Sequence, residues 1–271
     1  MVRPGLPSIG AWACLAVLFP LRARAFDPFE IQVYDGTADP RGVPAAELHL
    51  NTVPIGQKDF DPPELPPHQQ SHFTLEPSFG ITDWWEVGAY LQTTLERSGT
   101  FAYAGVKLRT KFVTQRGWNA HWRLGVNLEV SLIPERFDRD RWATEVRPIA
   151  AWEDEHWLFA WNPIVDTPLA GPGWSEGPSF DPAFMAKIKI EGKVAVGIET
   201  YSDFGPIAQP SSWSHQLHYL FEAFDLLSVR NFELNAGIGE GLTTASNALT
   251  VKVIVGYAWE GIPKQALPTV K

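Results

Sequence analysis

The chain has 271 residues, with 31 acidic side chains against 22 basic ones and a single cysteine. The acidic excess argues against nucleic acid as a partner, because binding to a phosphate backbone needs a basic surface. One cysteine excludes a small fold that depends on disulfide bonds. The 22 glycines and 23 prolines are typical of a protein made of strands and turns.

The amino terminus has the pattern of a secretory signal peptide. Arg3 supplies a positive charge, residues 9–21 form a short apolar run, and residues 23–25 (ARA) fit the cleavage site of a signal peptidase. We therefore expect Sec-type export and a mature chain that starts near Phe26. The apolar run is too short for a membrane-spanning helix, which needs roughly 20 apolar residues, and no later run approaches that length. Export would also remove Cys14, the only cysteine.

From residue 47 onward, apolar and polar residues alternate with a period of two, which places the two sets on opposite faces of a strand. The segment 119–132 is the clearest case, since every second residue from Trp122 to Leu132 is apolar. Similar alternation is found in residues 101–113, 183–191 and 249–259. This pattern predicts antiparallel strands with one apolar face.

Strand length favours a membrane barrel. The predicted strands lie near residues 45–53, 71–81, 84–96, 100–113, 119–133, 142–153, 156–168, 182–191, 193–203, 214–225, 231–239 and 247–259. Most exceed the roughly 5–6 residues usual in soluble proteins and match the roughly 9–11 residues of a tilted transmembrane strand. The expected fold is all-β, an antiparallel transmembrane up-and-down β-barrel of about 12 strands, within a range of roughly 10 to 14. The expected domains are a signal peptide at 1–25, the barrel at 26–259 and a C-terminal periplasmic tail at 260–271.

The connections between the predicted strands alternate in length. Tight turns such as 82–83 and 154–155 lie at one end, whereas the other end has long loops such as 54–70 and 205–213. Outer-membrane barrels have this asymmetry, with short periplasmic turns, long external loops and both termini in the periplasm. Tryptophans near the strand ends fit the aromatic girdles of such barrels. The alternative is a soluble β-sandwich in which the same tryptophans anchor the core.

If the apolar faces meet lipid, the remaining faces line the lumen, and many of their residues are charged. Such residues can form internal ion pairs that fill a narrow barrel or the polar wall of a permeation path. The residues expected to line the lumen are Glu76, Glu86, Glu96, Lys107, Arg109, Lys111, Arg123, Glu129, Glu145, Arg147, Lys187, Lys189, Glu199, Glu222 and Lys252.

One part of this lumen is a basic row on a single predicted strand. Alternation places Lys107, Arg109 and Lys111 on the same face, about 7 Å apart from one to the next. A row of like charge is tolerated only if the neighbouring strands supply carboxylates. The available carboxylates are those of Glu86, Glu96 and Glu129.

No catalytic, metal or cofactor site is predicted from the sequence. Ser131, His121 and Glu129 form a serine, histidine and carboxylate set on paper, but residues ten apart on one strand are about 33 Å from each other. His215 and His218 are an odd number apart and face opposite sides of a strand. The chain has no glycine-rich phosphate loop and no Cys/His metal spacing. We therefore expect neither a cofactor nor enzymatic activity.

Three phrases resemble a group of proteobacterial outer-membrane proteins labelled transporter-like or MetA pathway of phenol degradation. They are LEPSFGITDWWEVGAY at 75–90, KLRTKF at 107–112 and RPI at 147–149. The resemblance extends over most of the mature chain and implies an outer-membrane barrel for the uptake of small compounds, aromatic ones included. It carries no catalytic residues. Many such barrels end on an aromatic residue, whereas here Trp259 is followed by a tail that ends in Lys271.

Three functions are compatible with these observations. The first is a passive channel or uptake pore for small-molecule solutes in the outer membrane of a Gram-negative bacterium. The second is a plugged barrel with a structural or adhesive role, and the third is an outer-membrane lipid hydrolase. In each case the expected partners are outer-membrane lipid and, during biogenesis, the barrel-assembly machinery.

Overall fold

The computed structural model describes residues 27–58, 60, 62–115, 117–227, 229 and 231–259. The predicted signal peptide (1–25) and C-terminal tail (260–271) lie outside the described residues, so both remain predictions.

The regular secondary structure of the described chain is almost entirely strand. They are β1 (Pro44–Ile55), β2 (Ser71–Thr82), β3 (Trp85–Leu95), β4 (Phe101–Val113), β5 (Trp122–Leu132), β6 (Trp142–Glu153), β7 (Trp157–Asn162), β8 (Val165–Ala170), β9 (Ser179–Phe180), β10 (Ala183–Ile190), β11 (Val194–Asp203), β12 (Leu217–Leu226), β13 (Phe232–Gly241) and β14 (Leu249–Ala258). Two short 3₁₀ helices are Pro172–Ser175 and Trp213–His215. No helix in these ranges has the length and apolar character needed to span a membrane.

Antiparallel pairing closes the sheet into a barrel. Each long strand pairs with its neighbours along the chain, and β1 pairs with β14. The barrel has twelve strand positions, as predicted, because β7 and β8 share one of them. The expected single strand at 156–168 is thus divided. β7 pairs with the second half of β6, and β8 pairs with the first half. Pro163 lies at the break, where its missing N–H interrupts the ladder.

The two ends of the barrel differ in the length of their connections. At the end called the turn end, the connections are residues 83–84, 114–121, 154–156, 191–193 and 227–231. At the opposite end, called the loop end, they are residues 56–70, 96–100, 133–141, 171–182, 204–216 and 242–248. β1 begins and β14 ends at the turn end, so the chain enters and leaves the barrel on the side of the short connections.

The strands place apolar residues outside and polar residues inside. In β14, Thr250 and Lys252 are buried in the lumen, whereas Val251 and Val253 lie on the outer face. Exposed outward side chains include Leu75, Leu91, Leu108, Leu128, Val146, Ile188, Ile198 and Ile238. Together they form an apolar belt around the barrel, far more than the scattered apolar residues usual on a soluble surface.

A charge in the belt should destabilise the barrel. Val126 lies near the middle of β5, on the same outer face as Leu124 and Leu128. We expect Val126→Arg to cost about 2–4 kcal/mol, because an arginine at the bilayer midplane loses its hydration, and the matched Leu132→Arg at the strand end to cost about 0–1 kcal/mol. Urea unfolding in lipid vesicles measures both. Equal costs would contradict the outward assignment.

Candidate functional site

The lumen is the candidate functional site, and its wall has two chemically different parts. The charged wall is carried by β2 to β6. Its buried ionic residues are Glu76, Glu86, Lys107, Arg109, Arg123, Glu129 and Arg147. The apolar wall is carried by β6, β7 and β10 to β12, of which β10 and β11 also hold the buried ion pair of Lys187 and Glu199. Its buried residues are Ala151, Leu158, Ala160, Ala183, Met185, Tyr201, Tyr219 and Phe221.

The N-terminal segment, residues 27–43, lies inside this lumen. Near the loop end, the ring of Phe29 contacts that of Phe137, which belongs to the connection 133–141, with centroids 6.1 Å apart. At the turn end, Val43 accepts a hydrogen bond from the backbone of Gly80 at 3.1 Å. The segment therefore runs down the barrel from the loop end towards the turn end before β1 begins. The alternation pattern did not predict this placement.

Alternating side chains of the segment match the two parts of the wall. Ile31 and Val33 are buried among the residues of the apolar wall. The side chains that alternate with these two make polar contacts elsewhere in the lumen. They are Glu30, Gln32 and Tyr34. An extended chain places successive side chains on opposite sides, so one short segment can pack against both parts of the wall.

Carboxylates of the segment pair with bases of the charged wall. Glu30 lies 3.0 Å from Arg147 and 3.2 Å from Lys107. Asp27 also pairs with Lys107, at 2.6 Å. Asp35 pairs with Arg123 at 3.3 Å. The two pairs of Glu30 are buried on both sides, which makes them stronger than exposed pairs of the same charge. The side chains of Asp27 and Asp35 are about a third exposed, so water screens their pairs more.

Tyr34 is held from three sides. Its ring lies over the Arg147 guanidinium at 4.6 Å and the Lys111 ammonium at 5.0 Å, both cation–π distances. Its hydroxyl lies 2.5 Å from that of Tyr90. The Asn162 amide accepts from the Tyr34 N–H at 2.7 Å and donates to its carbonyl at 3.0 Å. Asn162 is the last residue of β7. These two hydrogen bonds therefore hold the segment beside the break between β7 and β8.

Near the turn end, the backbone of the segment lies against the wall. The Asp39 N–H donates to Glu86 at 2.6 Å, and Ser78 donates its hydroxyl to the Asp39 carboxylate at 2.5 Å. A Cβ on Gly80 would lie 2.2 Å from the carbonyl oxygen of Pro40, so this close approach requires glycine.

The segment divides the remaining space in the lumen. A cavity of about 280 Å³ lies towards the turn end, with Asp39, Glu86 and Lys189 in its wall. A second cavity of about 140 Å³ lies towards the loop end, with Phe137 and Asp181 in its wall. Gln32 lines both cavities. A thin layer of chain thus separates the two spaces.

The basic row of β4 points into the lumen, towards carboxylates on both sides. Arg109 lies 2.6 Å from Glu76 and 2.6 Å from Glu86. Glu86 also pairs with Lys111 at 3.1 Å. Lys107 lies 3.5 Å from Glu129, in addition to its contacts with the N-terminal segment.

Predicted lumen residues on the other strands also form ion pairs. Lys187 lies 2.7 Å from Glu199, which pairs with Lys252 as well. Arg147 pairs with Glu145 at 2.7 Å. The alternation pattern missed the partners of some of these groups. They are Glu153, which pairs with both Arg123 and Lys189, and Asp225, which lies 2.6 Å from Lys187.

Two of the predicted lumen residues lie elsewhere. Glu222 is exposed on the outer face, where its register partners are Ile198 and Ile238. β12 carries apolar residues on its inner face, including Phe221, so polarity does not reveal which of its faces is inside. Glu96 follows the last residue of β3 and pairs with Arg136 of a loop-end connection, and it is therefore not a partner of the basic row.

Glu47, His49 and Glu76 form the one described cluster with the ligand types of a metal site, and their donor atoms lie within 4.8 Å of one another. His49 Nε2 is 3.0 Å from Glu76 and 3.5 Å from Glu47. The Arg109 guanidinium, 2.6 Å from Glu76, places a fixed positive charge beside the cluster. That charge disfavours a cation there, so the arrangement is better described as part of the ion-pair network.

A serine and histidine pair lies on the outer face near the loop end. Ser202 Oγ is 2.8 Å from His218 Nδ1, and Gln216 Oε1 is 2.8 Å from His218 Nε2. The histidine is buried, with the Trp213 ring stacked on it at 4.5 Å and the Phe204 ring against its edge. The contacts join the loop ends of β11 and β12 and account for the burial of the ring.

No protein-family model and no curated protein matches the chain. Among solved structures, an outer membrane channel from Pseudomonas putida F1 is similar with a TM-score of 0.58 at 9% identity, covering 85% of this chain and 100% of that one. The fold is that of an outer-membrane β-barrel. The KdgM porin in complex with oligogalacturonate scores 0.49 at 9% identity, covering 80% and 99%. Outer membrane phospholipase A from Escherichia coli scores 0.41 at 11% identity, covering 84% and 98%. The last two scores are too low to support an argument about this chain.

Proposed function

We propose that this chain is an outer-membrane channel for small solutes, with its N-terminal segment closing the lumen in the described state. The observation that carries the proposal is a closed barrel whose apolar belt surrounds two cavities, of about 280 and 140 Å³, separated by the chain's own residues. The side chains of the wall do not fill this barrel by themselves, because two spaces remain and the N-terminal segment lies between them.

Residues 27–39 of the segment take no part in the backbone ladders of the barrel, and only its last residues, Gly42 and Val43, bond to the backbone of β2. The ladders that close the sheet join β1 to β14 and do not include residues 27–39. The segment can leave the lumen without opening the barrel, because its contacts there are mainly ion pairs, side-chain hydrogen bonds and apolar packing. The structural alternative, a permanently plugged barrel, requires that it stay in place.

The finer parts of the proposal extend the sequence analysis. The solutes are small molecules, aromatic compounds among them, as the resemblance to the transporter-like group implies. The channel reaches the outer membrane after Sec-type export and uses the barrel-assembly machinery. The lipid-hydrolase alternative would need a nucleophile open to lipid, whereas the histidine beside Ser202 is covered by Trp213.

A tether between segment and wall tests the proposal. The Gln32 amide donates to Glu47 of β1 at 3.0 Å, so Gln32→Cys with Glu47→Cys introduces two neighbouring thiols into a mature chain that should otherwise have none. We expect discrete single-channel openings in planar bilayers from the wild type and the reduced double variant, and their loss when a short bis-maleimide joins the thiols. The single-cysteine variants are the controls.

The outcomes separate the candidate functions. Absence of openings in every sample would overturn the channel proposal and favour a plugged barrel. Openings that persist after verified tethering would show that solutes bypass the segment, which would overturn its role in closure.

A further inference from the structure

The middle of the lumen holds a carboxylate and an aromatic ring side by side, and both belong to the N-terminal segment. The Tyr34 hydroxyl donates to the Glu30 carboxylate at 3.3 Å. Arg147 contacts both groups, since its Nη1 lies 3.0 Å from the Glu30 carboxylate and its guanidinium lies under the Tyr34 ring at 4.6 Å. A single wall residue therefore recognises an anion and an aromatic face at once.

The groups that receive this pair belong to the barrel and stay in place when the segment leaves. Arg147 is on β6 and also pairs with Glu145 at 2.7 Å. Lys107, on β4, keeps Glu129 at 3.5 Å. Lys111 keeps Glu86 at 3.1 Å. Each cation is thus positioned by a wall carboxylate that does not depend on the segment.

We propose that Lys107, Arg147, Lys111 and Tyr90 form a solute-binding site for small aromatic carboxylates, and that Glu30 and Tyr34 occupy it as an internal competitor. The inference rests on the proposed channel function and names the chemistry of its solute. A benzoate-sized molecule can present its carboxylate to Arg147 and Lys107 and its ring to the Lys111 cation, in the places that the Glu30 carboxylate and the Tyr34 ring occupy now.

The charges of the wall set the strength of this site. Glu145 and Glu129 already neutralise part of the positive charge of Arg147 and Lys107. A solute carboxylate is therefore attracted only by the positive charge that remains. Binding should therefore be weak. Weak binding suits a channel, in which a solute must bind well enough to enter and loosely enough to leave.

The test measures binding without current, so it does not depend on conduction. The probe is 4-fluorobenzoate, observed by fluorine NMR line broadening with refolded protein in detergent. In the emptied variant, which lacks residues 27–39, we expect broadening that benzoate reverses, and an apparent affinity about tenfold or more above the wild type, because the wild-type site is free only for the fraction of time that the segment is absent.

Matched ligands and variants make the test specific. We expect neither 4-fluorobenzyl alcohol, which lacks the carboxylate, nor cyclohexanecarboxylate, which lacks the ring, to compete as benzoate does. In the emptied background, Arg147→Gln should remove binding. Arg147→Lys, which keeps the charge but loses the planar guanidinium, should weaken it.

Two results would overturn the inference. One is equal binding of the alcohol and the carboxylate. The other is binding that survives Arg147→Gln in a variant whose folded form is verified by its gel migration. Benzoate binding in a barrel that never conducts would instead overturn the channel proposal and leave the binding site standing.

Discussion

Deletion of residues 27–39 is expected to convert a mostly closed barrel into one that conducts continuously. The deletion joins the two cavities, because the layer of chain between them is gone. It should also shift ion selectivity towards anions, since it removes Asp27, Glu30, Asp35 and Asp39 from the lumen and leaves the bases of the charged wall in place. Single-channel recording with a salt gradient across the bilayer measures both effects.

The shortened chain should still fold. The backbone bonds between Gly80 and residues 42 and 43 are retained, as is every ladder that closes the barrel. The matched control keeps the segment but neutralises its paired carboxylates, as Asp27→Asn, Glu30→Gln and Asp35→Asn. We expect this variant to open more often than the wild type and less often than the deletion, because Ile31 and Val33 still pack on the apolar wall. A folded deletion variant with wild-type currents would contradict the proposed closure.

The barrel could be predicted from the sequence because period-two alternation is a local property. In β14, each outward residue from Leu249 to Tyr257 is apolar, so the strand and its faces follow from the chain alone. β4 (Phe101–Val113) was predicted at 100–113, to within one residue, for the same reason. The number of strands follows from adding such segments, without any knowledge of how they pair.

The position of the N-terminal segment in the lumen could not be predicted in this way, although the segment has the same pattern. Phe29, Ile31 and Val33 alternate with polar residues as in a strand, yet the segment takes no place in the ladder. Its position depends on long-range partners such as Arg147, more than a hundred residues away in the chain. An acidic, strand-like stretch before the first barrel strand, next to a lumen rich in bases, is the signal that could have indicated it.

The period-two alternation placed Glu222 on the wrong face of β12 for a related physical reason. The inner face of β12 packs against the apolar part of the lumen, with Tyr219 and Phe221 buried there. The rule that polar residues point inward holds only where the lumen is polar. A barrel that holds an amphipathic segment needs an apolar inner wall, so the exception on β12 and the unexpected segment have the same origin.

Replacing Arg109 by methionine is expected to destabilise the barrel far more than the loss of an exposed ion pair does. The Arg109 side chain is 3% exposed and contacts two buried carboxylates, those of Glu76 and Glu86, each at 2.6 Å. Removing one partner of such a buried set costs about 3–5 kcal/mol, because the remaining charges keep their desolvation penalty without its compensation. The readout is the temperature at which the compact, fast-migrating form disappears from an unheated detergent gel.

Two comparisons decide whether the buried charge is the cause. Arg136→Met breaks the ion pair with Glu96, but that arginine is 43% exposed in a loop-end connection, so we expect a loss of about 0–1 kcal/mol. Adding Glu76→Gln to Arg109→Met removes the buried carboxylate that depends most on Arg109, leaves Glu86 paired with Lys111, and should restore part of the lost stability. If Arg109→Met and Arg136→Met lower the transition equally, or if the double variant Arg109→Met with Glu76→Gln is no more stable than Arg109→Met alone, the charge of Arg109 does not hold this part of the wall together.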